Sequence, residues 1–212
     1  GEALQNEVLG ATLAPATPLE ESWRDFVFAE VWSREGLDRR SRYLIAMTGA
    51  SGAAYGVDFV KRCPGEKYLV MSDWARHVLQ SELDMKPADL ESHVKKVFRD
   101  SDLAAPFSSG SNRYDAMVIL PCSVSTLAKI ACGIADTLIT RAAAVALKER
   151  MRLVVCVRET PLSGIALENM LRLSREGAVI MPVAPPWYRN PTSLDQLVGG
   201  FTTFRRASQA RR

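Results

Sequence analysis

The chain has 212 residues, of which 47% are hydrophobic and 24% charged, and its formal net charge is +3. That length and balance suit one soluble globular domain with a real core, and the charge is too small and too scattered to indicate nucleic acid. The basic tail (Arg205, Arg206, Arg211, Arg212) reads as a solvated end. No apolar run approaches the ~20 residues of a membrane span, and no signal peptide is expected.

In chain order, the first strand is Tyr43–Met47, an apolar run that breaks into the small residues Thr48–Ala54. Apolar positions resume at helical spacing with Tyr55, Val57, Phe59 and Val60, so a strand, a tight glycine turn and a helix start are expected. Free N–H groups at such a start favour an anion, and glycine lets a phosphate approach closely. The segment is neither G-x-G-x-x-G nor the lysine-containing P-loop, and an ordinary strand-to-helix connection fits it equally well.

A second strand is expected at Lys67–Met71 and a helix at Asp73–Leu83, followed by a polar, mixed stretch at 84–113. Ala116–Leu120 is a short continuous apolar run, the mark of a strand covered on both faces. Pro121–Thr126 leads into a helix, a further helix spans Asp136–Arg150, and Leu153–Val157 is again a strand. Residues 164–175 look helical, Ala178–Met181 strand-like, and Pro182–Pro191 forms a proline-rich loop. Ser193 and Gln196 fit a capping box for a last helix with the apolar stripe Leu194, Leu197, Val198, Phe201 and Phe204.

Strands alternating with helices indicate an α/β fold with a mostly parallel sheet and helices on both faces. Ligands of such folds sit beyond the carboxyl ends of the strands, which directs attention to 48–52, 72–74, 121–126 and 158–164. The four cysteines, Cys63, Cys122, Cys132 and Cys156, form no C-x-x-C, and only His77 and His93 could complete a metal set. No metal is expected; buried thiols in a reducing compartment, the cytoplasm, are the simplest account.

Arg141 and Lys148 lie seven positions apart on one helix, close to two full turns, so both project from nearly one face. Arg158 and Glu159 follow directly after the Leu153–Val157 strand, and Tyr188 sits in the stiff Pro185–Pro191 segment. Taken singly, these are a solvated helix edge, a rim ion pair and a packing lid. Taken together, around one crevice, they suit a phosphate-bearing ligand and proton transfer. There is no D-D-x-x-D cluster to hold magnesium on a diphosphate, so side chains and backbone would have to neutralise any phosphate.

Several stretches in order resemble the UbiX-type flavin prenyltransferases, a flavodoxin-like (Rossmann-like) three-layer family: Met47–Ala53, Met117–Ser123 with Thr126 and Leu127, Leu138–Ala143, Ala146–Arg150, Val157–Pro161, Leu167–Leu171, Gly177–Pro182 and Trp187–Tyr188. The likeness covers about residues 43–206. It implies that reduced FMN is alkylated by dimethylallyl phosphate at N5 and then at C6, without metal, and that the prenylated FMN serves a UbiD-type decarboxylase. Ubiquinone synthesis or aromatic-acid breakdown would be the setting. It also implies a homo-oligomer, a dodecamer built from trimers, with sites near subunit boundaries.

By the same resemblance Gly49, Ala50 and Ser51 line the flavin, Ser51 near N5, and Ser72, Ser123 and Thr126 complete the FMN pocket. Arg141 matches an arginine on the flavin and phosphate side. Lys148, Arg158 and Tyr188 match groups that hold the prenyl donor's phosphate, with Glu82 near the same region. Glu159 matches the acid/base carboxylate, and Ser51, Glu159, Lys148 and Arg158 form the catalytic set.

The chain also departs from that family. Ala144 stands where relatives carry Asp, Asp73-Trp74 replace a Lys-Ala, and a longer tryptophan-bearing C-terminal segment is not found after Phe204. About forty residues precede the first strand, and Phe26–Leu44 resembles the opening of the carboxymuconolactone decarboxylase family. Residues 1–42 are read as a helical or partly disordered extension to the flavoprotein domain at 43–212. Two other activities compete on the same fold: a flavin-dependent cysteine-type decarboxylase, and a non-catalytic FMN-binding accessory subunit.

Overall fold

The computed structural model describes residues 41–185, 187 and 190–202. They fall into two units, one ending at Ala184 and the other holding Pro185, Trp187 and residues 190–202. The first unit is built on a six-stranded, wholly parallel sheet in the order β3-β2-β1-β4-β5-β6. The strands are β1 (Arg42–Met47), β2 (Glu66–Met71), β3 (Lys96–Arg99), β4 (Ala116–Cys122), β5 (Arg152–Val157) and β6 (Val179–Ile180). The helices are α1 (Ala53–Arg62), α2 (Asp73–Leu83), α3 (Val124–Ala131), α4 (Leu138–Lys148) and α5 (Gly164–Arg175). This is the expected α/β class, with the Rossmann-like strand order, and that order reverses between β1 and β4.

Alternation along each strand divides the core. Leu44, Ala46, Val70 and Phe98 share one cluster with Leu127 of α3 and Ile139, Ala142 and Ala146 of α4. The intervening residues Tyr43, Ile45, Met47, Leu69 and Met71 are buried on the opposite face. There α1 lies flush on the sheet, because a Cβ on Gly56 would stand 2.7 Å from the Leu120 carbonyl oxygen. All seven residues of β4 are buried, the burial its continuous apolar run demands.

Strand β3 lies inside the stretch that the residue pattern leaves as polar and mixed. It has only four residues, pairs with β2 alone, and exposes Lys96 and Arg99 as an edge strand does. Its one buried side chain, Phe98, anchors it. The Phe98 ring meets Phe107 edge-on at 5.7 Å between centroids, and Phe107 also meets Tyr68 at 4.9 Å and Tyr114 at 5.8 Å. These pairs give 84–113 a packed core of its own.

Other boundaries shift for local reasons. Helix α4 starts two residues later than expected, where Thr137 caps it, its hydroxyl accepting from the Thr140 amide. It ends before Arg150, whose φ of 56° leaves helical space. The last strand shrinks to Val179–Ile180, although Met181 and Val183 still donate to the Val155 and Val157 carbonyls at 2.9 and 2.8 Å.

In the second unit α6 spans Leu194–Thr202, and the Gln196 amide donates to the Ser193 hydroxyl as a cap requires. The Gln196 side chain, however, accepts from the Thr192 amide at 2.9 Å, so the box is opened by one residue. Val198 and Phe201 are buried but Leu194 is 70% exposed, so the apolar stripe begins later than the sequence implies. Phe204 and residues 1–40 lie outside the described residues, and Arg42, assigned to the extension, already belongs to β1. No helix among the described residues is long and apolar enough to cross a membrane.

Phe107, 1% exposed at the centre of the aromatic group, should be a stability hot spot. Phe107→Ala is expected to cost about 3–5 kcal/mol, read as a lower urea midpoint at unchanged slope.

Candidate active site

The reversal between β1 and β4 opens a crevice beyond their carboxyl ends. Thr48 holds the two ends in register. Its hydroxyl donates to the Pro121 carbonyl at 2.9 Å and accepts from the Ser123 amide at 2.8 Å, while its own amide reaches Pro121 O at 3.2 Å. The residue is only 3% exposed. Thr48 lies in the motif that flagged this segment, yet residue types alone assign it no role; the signal was a buried hydroxyl at the first position after a strand.

Strands β2 and β4 each deliver a small polar residue to this edge. Ser72 follows β2, its amide donates to Met47 O at 3.2 Å, and its hydroxyl caps α2 by accepting from Ala75 N at 3.1 Å. Ser123 follows β4 and caps α3, accepting from the Thr126 amide while its hydroxyl lies 3.1 Å from the Thr126 hydroxyl. Gly49 and Ser51 are exposed in the turn after β1, and Ala50 is buried beneath it. Between Pro121 and Ser123 lies Cys122, whose thiol burial pushes up to about 12, so it stays protonated and unreactive.

The start of α1 already carries an anion. Gly52, at φ 94°, turns the chain so that its amide donates to both Glu82 carboxylate oxygens at 3.1 and 2.9 Å, and the Ala53 amide donates at 2.8 Å. The helix N-terminus anticipated as a phosphate site is thus satisfied by a carboxylate from α2, which suits its partial positive charge. The space beside Gly49 is likewise taken by protein: an added Cβ would stand 2.5 Å from the Cβ of Trp74.

Arg158 and Glu159 reach the same edge from β5. The Arg158 amide donates to Cys122 O at 3.0 Å, tying the residue to the end of β4. Its guanidinium lies near enough to Tyr55 of α1 to pull back a phenol that burial otherwise pushes up. Glu159 is exposed, and its carboxylate accepts from the Thr160 amide at 2.9 Å.

The expected convergence of all the cations fails within one chain. Helix α4 begins beside the carboxyl end of β3, where the Leu138 and Ile139 amides donate to the Asp100 carbonyl and carboxylate, both at 2.7 Å. It runs down to Lys148, four positions before β5 begins at Arg152. Lys148 therefore lies at the amino edge of the sheet, and Arg158 at the carboxyl edge. The β5 strand between them is roughly 20 Å long. Lys148, 64% exposed, pairs there with Glu149 at 2.9 Å. Arg141 is exposed on the same helix nearer the other end, and Tyr188 lies outside the described residues. The position of Lys148 was readable in principle, since a crossover helix ends next to the start of the following strand.

The described chain thus unites Gly49, Ala50, Ser51, Ser72, Glu82, Ser123, Thr126, Arg158 and Glu159 at one edge, with Lys148 at the opposite one. Among the described residues no group of three His, Cys, Asp or Glu is arranged to hold a metal ion. Glu82→Ala, which orphans the Gly52 and Ala53 amides, is expected to lower stability by about 0.5–2 kcal/mol in urea titration, with Glu82→Gln milder.

Comparison with known proteins bears on this edge. The flavoprotein family model matches residues 32–207, beginning inside the segment read as an extension. The flavin prenyltransferase UbiX of Thermoplasma acidophilum is 48% identical over 158 residues, 74% of this chain and 88% of that one. AnUbiX (PadA1), solved in complex with FMN and dimethylallyl pyrophosphate, superposes with a TM-score of 0.75 at 46% identity, over 77% of this chain and 89% of that chain. A dodecameric FMN-dependent UbiX-like decarboxylase from Escherichia coli O157:H7 gives 0.74 at 42% identity, covering 76% and 90%. With that likeness spread along a sheet whose crevice is lined by the matching turns, the chain belongs to the flavoprotein family, among its UbiX-type flavin prenyltransferases.

Proposed function

We propose that the chain transfers a dimethylallyl group from dimethylallyl phosphate to N5 and then C6 of reduced FMN, without a metal, making prenylated FMN for a UbiD-type decarboxylase. The observation that carries this reading is the crevice edge itself: hydroxyls from Ser51, Ser72, Ser123 and Thr126 beside Arg158 and Glu159, in a chain 46% identical to a protein solved with FMN and dimethylallyl pyrophosphate. That donor set fits a flavin mononucleotide, whose ribityl and phosphate oxygens need many neutral donors and few cations. Ser72 uses its oxygen as a helix cap, which leaves its hydroxyl proton to donate, whereas the Ser123 hydroxyl, also a cap, gives its proton to the Thr126 hydroxyl. The four free cysteines fit a reducing cytoplasm.

Reduced FMN supplies a nucleophilic N5 when bound. The chain's task is to stabilise the phosphate that departs with the electron pair of the allylic C–O bond, and to take up protons. Arg158, fixed through its amide to Cys122, is a preorganised cation for that phosphate. Glu159, exposed at the rim and held by the Thr160 amide, can take the proton that leaves N5. Tyr188 is assigned to the phosphate as well. Glu82 acts on the turn, by holding Gly52 and Ala53, rather than on the phosphate directly.

Lys148 is too far from its own chain's Arg158 to share an anion with it. We place Lys148, with Arg141 on the same helix face, at the crevice of a neighbouring subunit in a homo-oligomer, a dodecamer of trimers. The dodecameric Escherichia coli relative supports an assembly of that kind.

Anaerobic mass spectrometry of FMNH₂ and dimethylallyl phosphate with the protein should yield a flavin heavier by one prenyl unit; bound FMN of unchanged mass would count against the reaction. Arg158→Ala is expected to slow product formation about 10²- to 10³-fold with FMN affinity retained. Co-assembled Lys148→Ala and Glu159→Gln chains, each inactive alone, should recover about one quarter of the wild-type rate by random mixing across a heterologous interface. No recovery in the mixed oligomer would mean that Lys148 does not act between chains.

A further inference from the structure

Trp74 is 72% exposed, although an aromatic ring of that size ordinarily buries most of its surface. It is the second residue of α2, two positions after Ser72, at the carboxyl edge of the sheet. Its Cβ occupies the space beside Gly49 that any other residue there would fill: a Cβ on Gly49 would meet Trp74 Cβ at 2.5 Å and Cγ at 3.4 Å. The His77 ring meets the indole at 88°, with centroids 5.7 Å apart. The indole is thus gripped at its root by the flavin turn and at its side by an imidazole, while most of its surface remains open.

Resting on the flavin-binding reading above, we propose that Trp74 is a flavin-contact residue, its indole packing against the isoalloxazine ring seated on the Gly49–Ser51 turn. An aromatic plane fixed in position loses little conformational freedom on meeting a second ring. An offset or edge-on aromatic pair of this kind contributes about 0.5–1.5 kcal/mol beyond buried area, which is about 2- to 12-fold in affinity. The open surface of Trp74 is the one large aromatic surface among the described residues of 41–184 that is exposed.

The test is titration of the full-length protein with oxidised FMN, reading both affinity and the fluorescence lifetime of bound flavin, because an indole in contact quenches flavin emission by electron transfer. Trp74→Leu should weaken FMN binding about 3- to 10-fold and lengthen the bound-flavin lifetime. Trp74→Phe should keep most of the affinity yet lengthen the lifetime, since phenylalanine is a poor electron donor. An unchanged lifetime in both variants overturns the proposal, including the case where the variants alter sedimentation and the indole instead packs against a second copy. Failure of the wild-type protein to bind FMN at all sinks the functional reading itself, a result distinct from equal binding by wild type and variants.

Discussion

The seam between β1 and β4 is the constraint on which the crevice depends. At a point where strand order reverses, no helix bridges the two strand ends, and their backbones would otherwise diverge with the twist of the sheet. Thr48 closes the seam with one side chain that donates to Pro121, in a buried bond, and accepts from the half-buried Ser123 amide. A valine of the same shape would leave the Ser123 amide without that acceptor, at a cost of about 1–3 kcal/mol. Because Ser123 caps α3 and Arg158 hangs from Cys122, the hydroxyl of Thr48 indirectly positions both beside the Gly49–Ser51 turn.

A second principle runs through the site: its helix starts are closed by the chain's own groups. Ser72 caps α2, Ser123 caps α3, Ser163 caps α5, and a carboxylate from Glu82 serves α1. Each cap takes one or two of the first amides, so these N-termini offer an anion fewer free donors than uncapped helices would. An anion at this edge would draw on cationic side chains, on the amides the caps leave open and on the Ser72 hydroxyl proton.

Much of this architecture was legible in the residues. Continuous apolar runs marked β1, β4 and β5, and the bounds of α2 and α5 agree with the expectation, since Ser72 and Ser163 are unambiguous caps. Strand β3 was hidden because four residues with one buried ring carry no periodicity. Its support comes from Phe107 and Tyr114, distant in sequence and visible only once packed. For the site, the turn residues and the Arg158–Glu159 pair were placed correctly at the carboxyl edge by strand logic. Lys148 was not, because helical spacing reports which face a residue occupies and says nothing of which end of the sheet that face reaches. Thr48 and Glu82 act through hydrogen bonds to the backbone, which leave no pattern in residue type.

The contact between Gly49 and Trp74 also constrains how this protein can change over time. With the indole in place, every side chain at 49 collides with its root, so glycine is locked there irrespective of what ligand the turn holds. The obstructing atom is the Cβ of residue 74, which every residue except glycine carries, so trimming Trp74 to alanine or leucine leaves the restriction in place. The two sites are therefore coupled through the backbone: residue 49 can be enlarged only where residue 74 is itself glycine or one of the two segments shifts away.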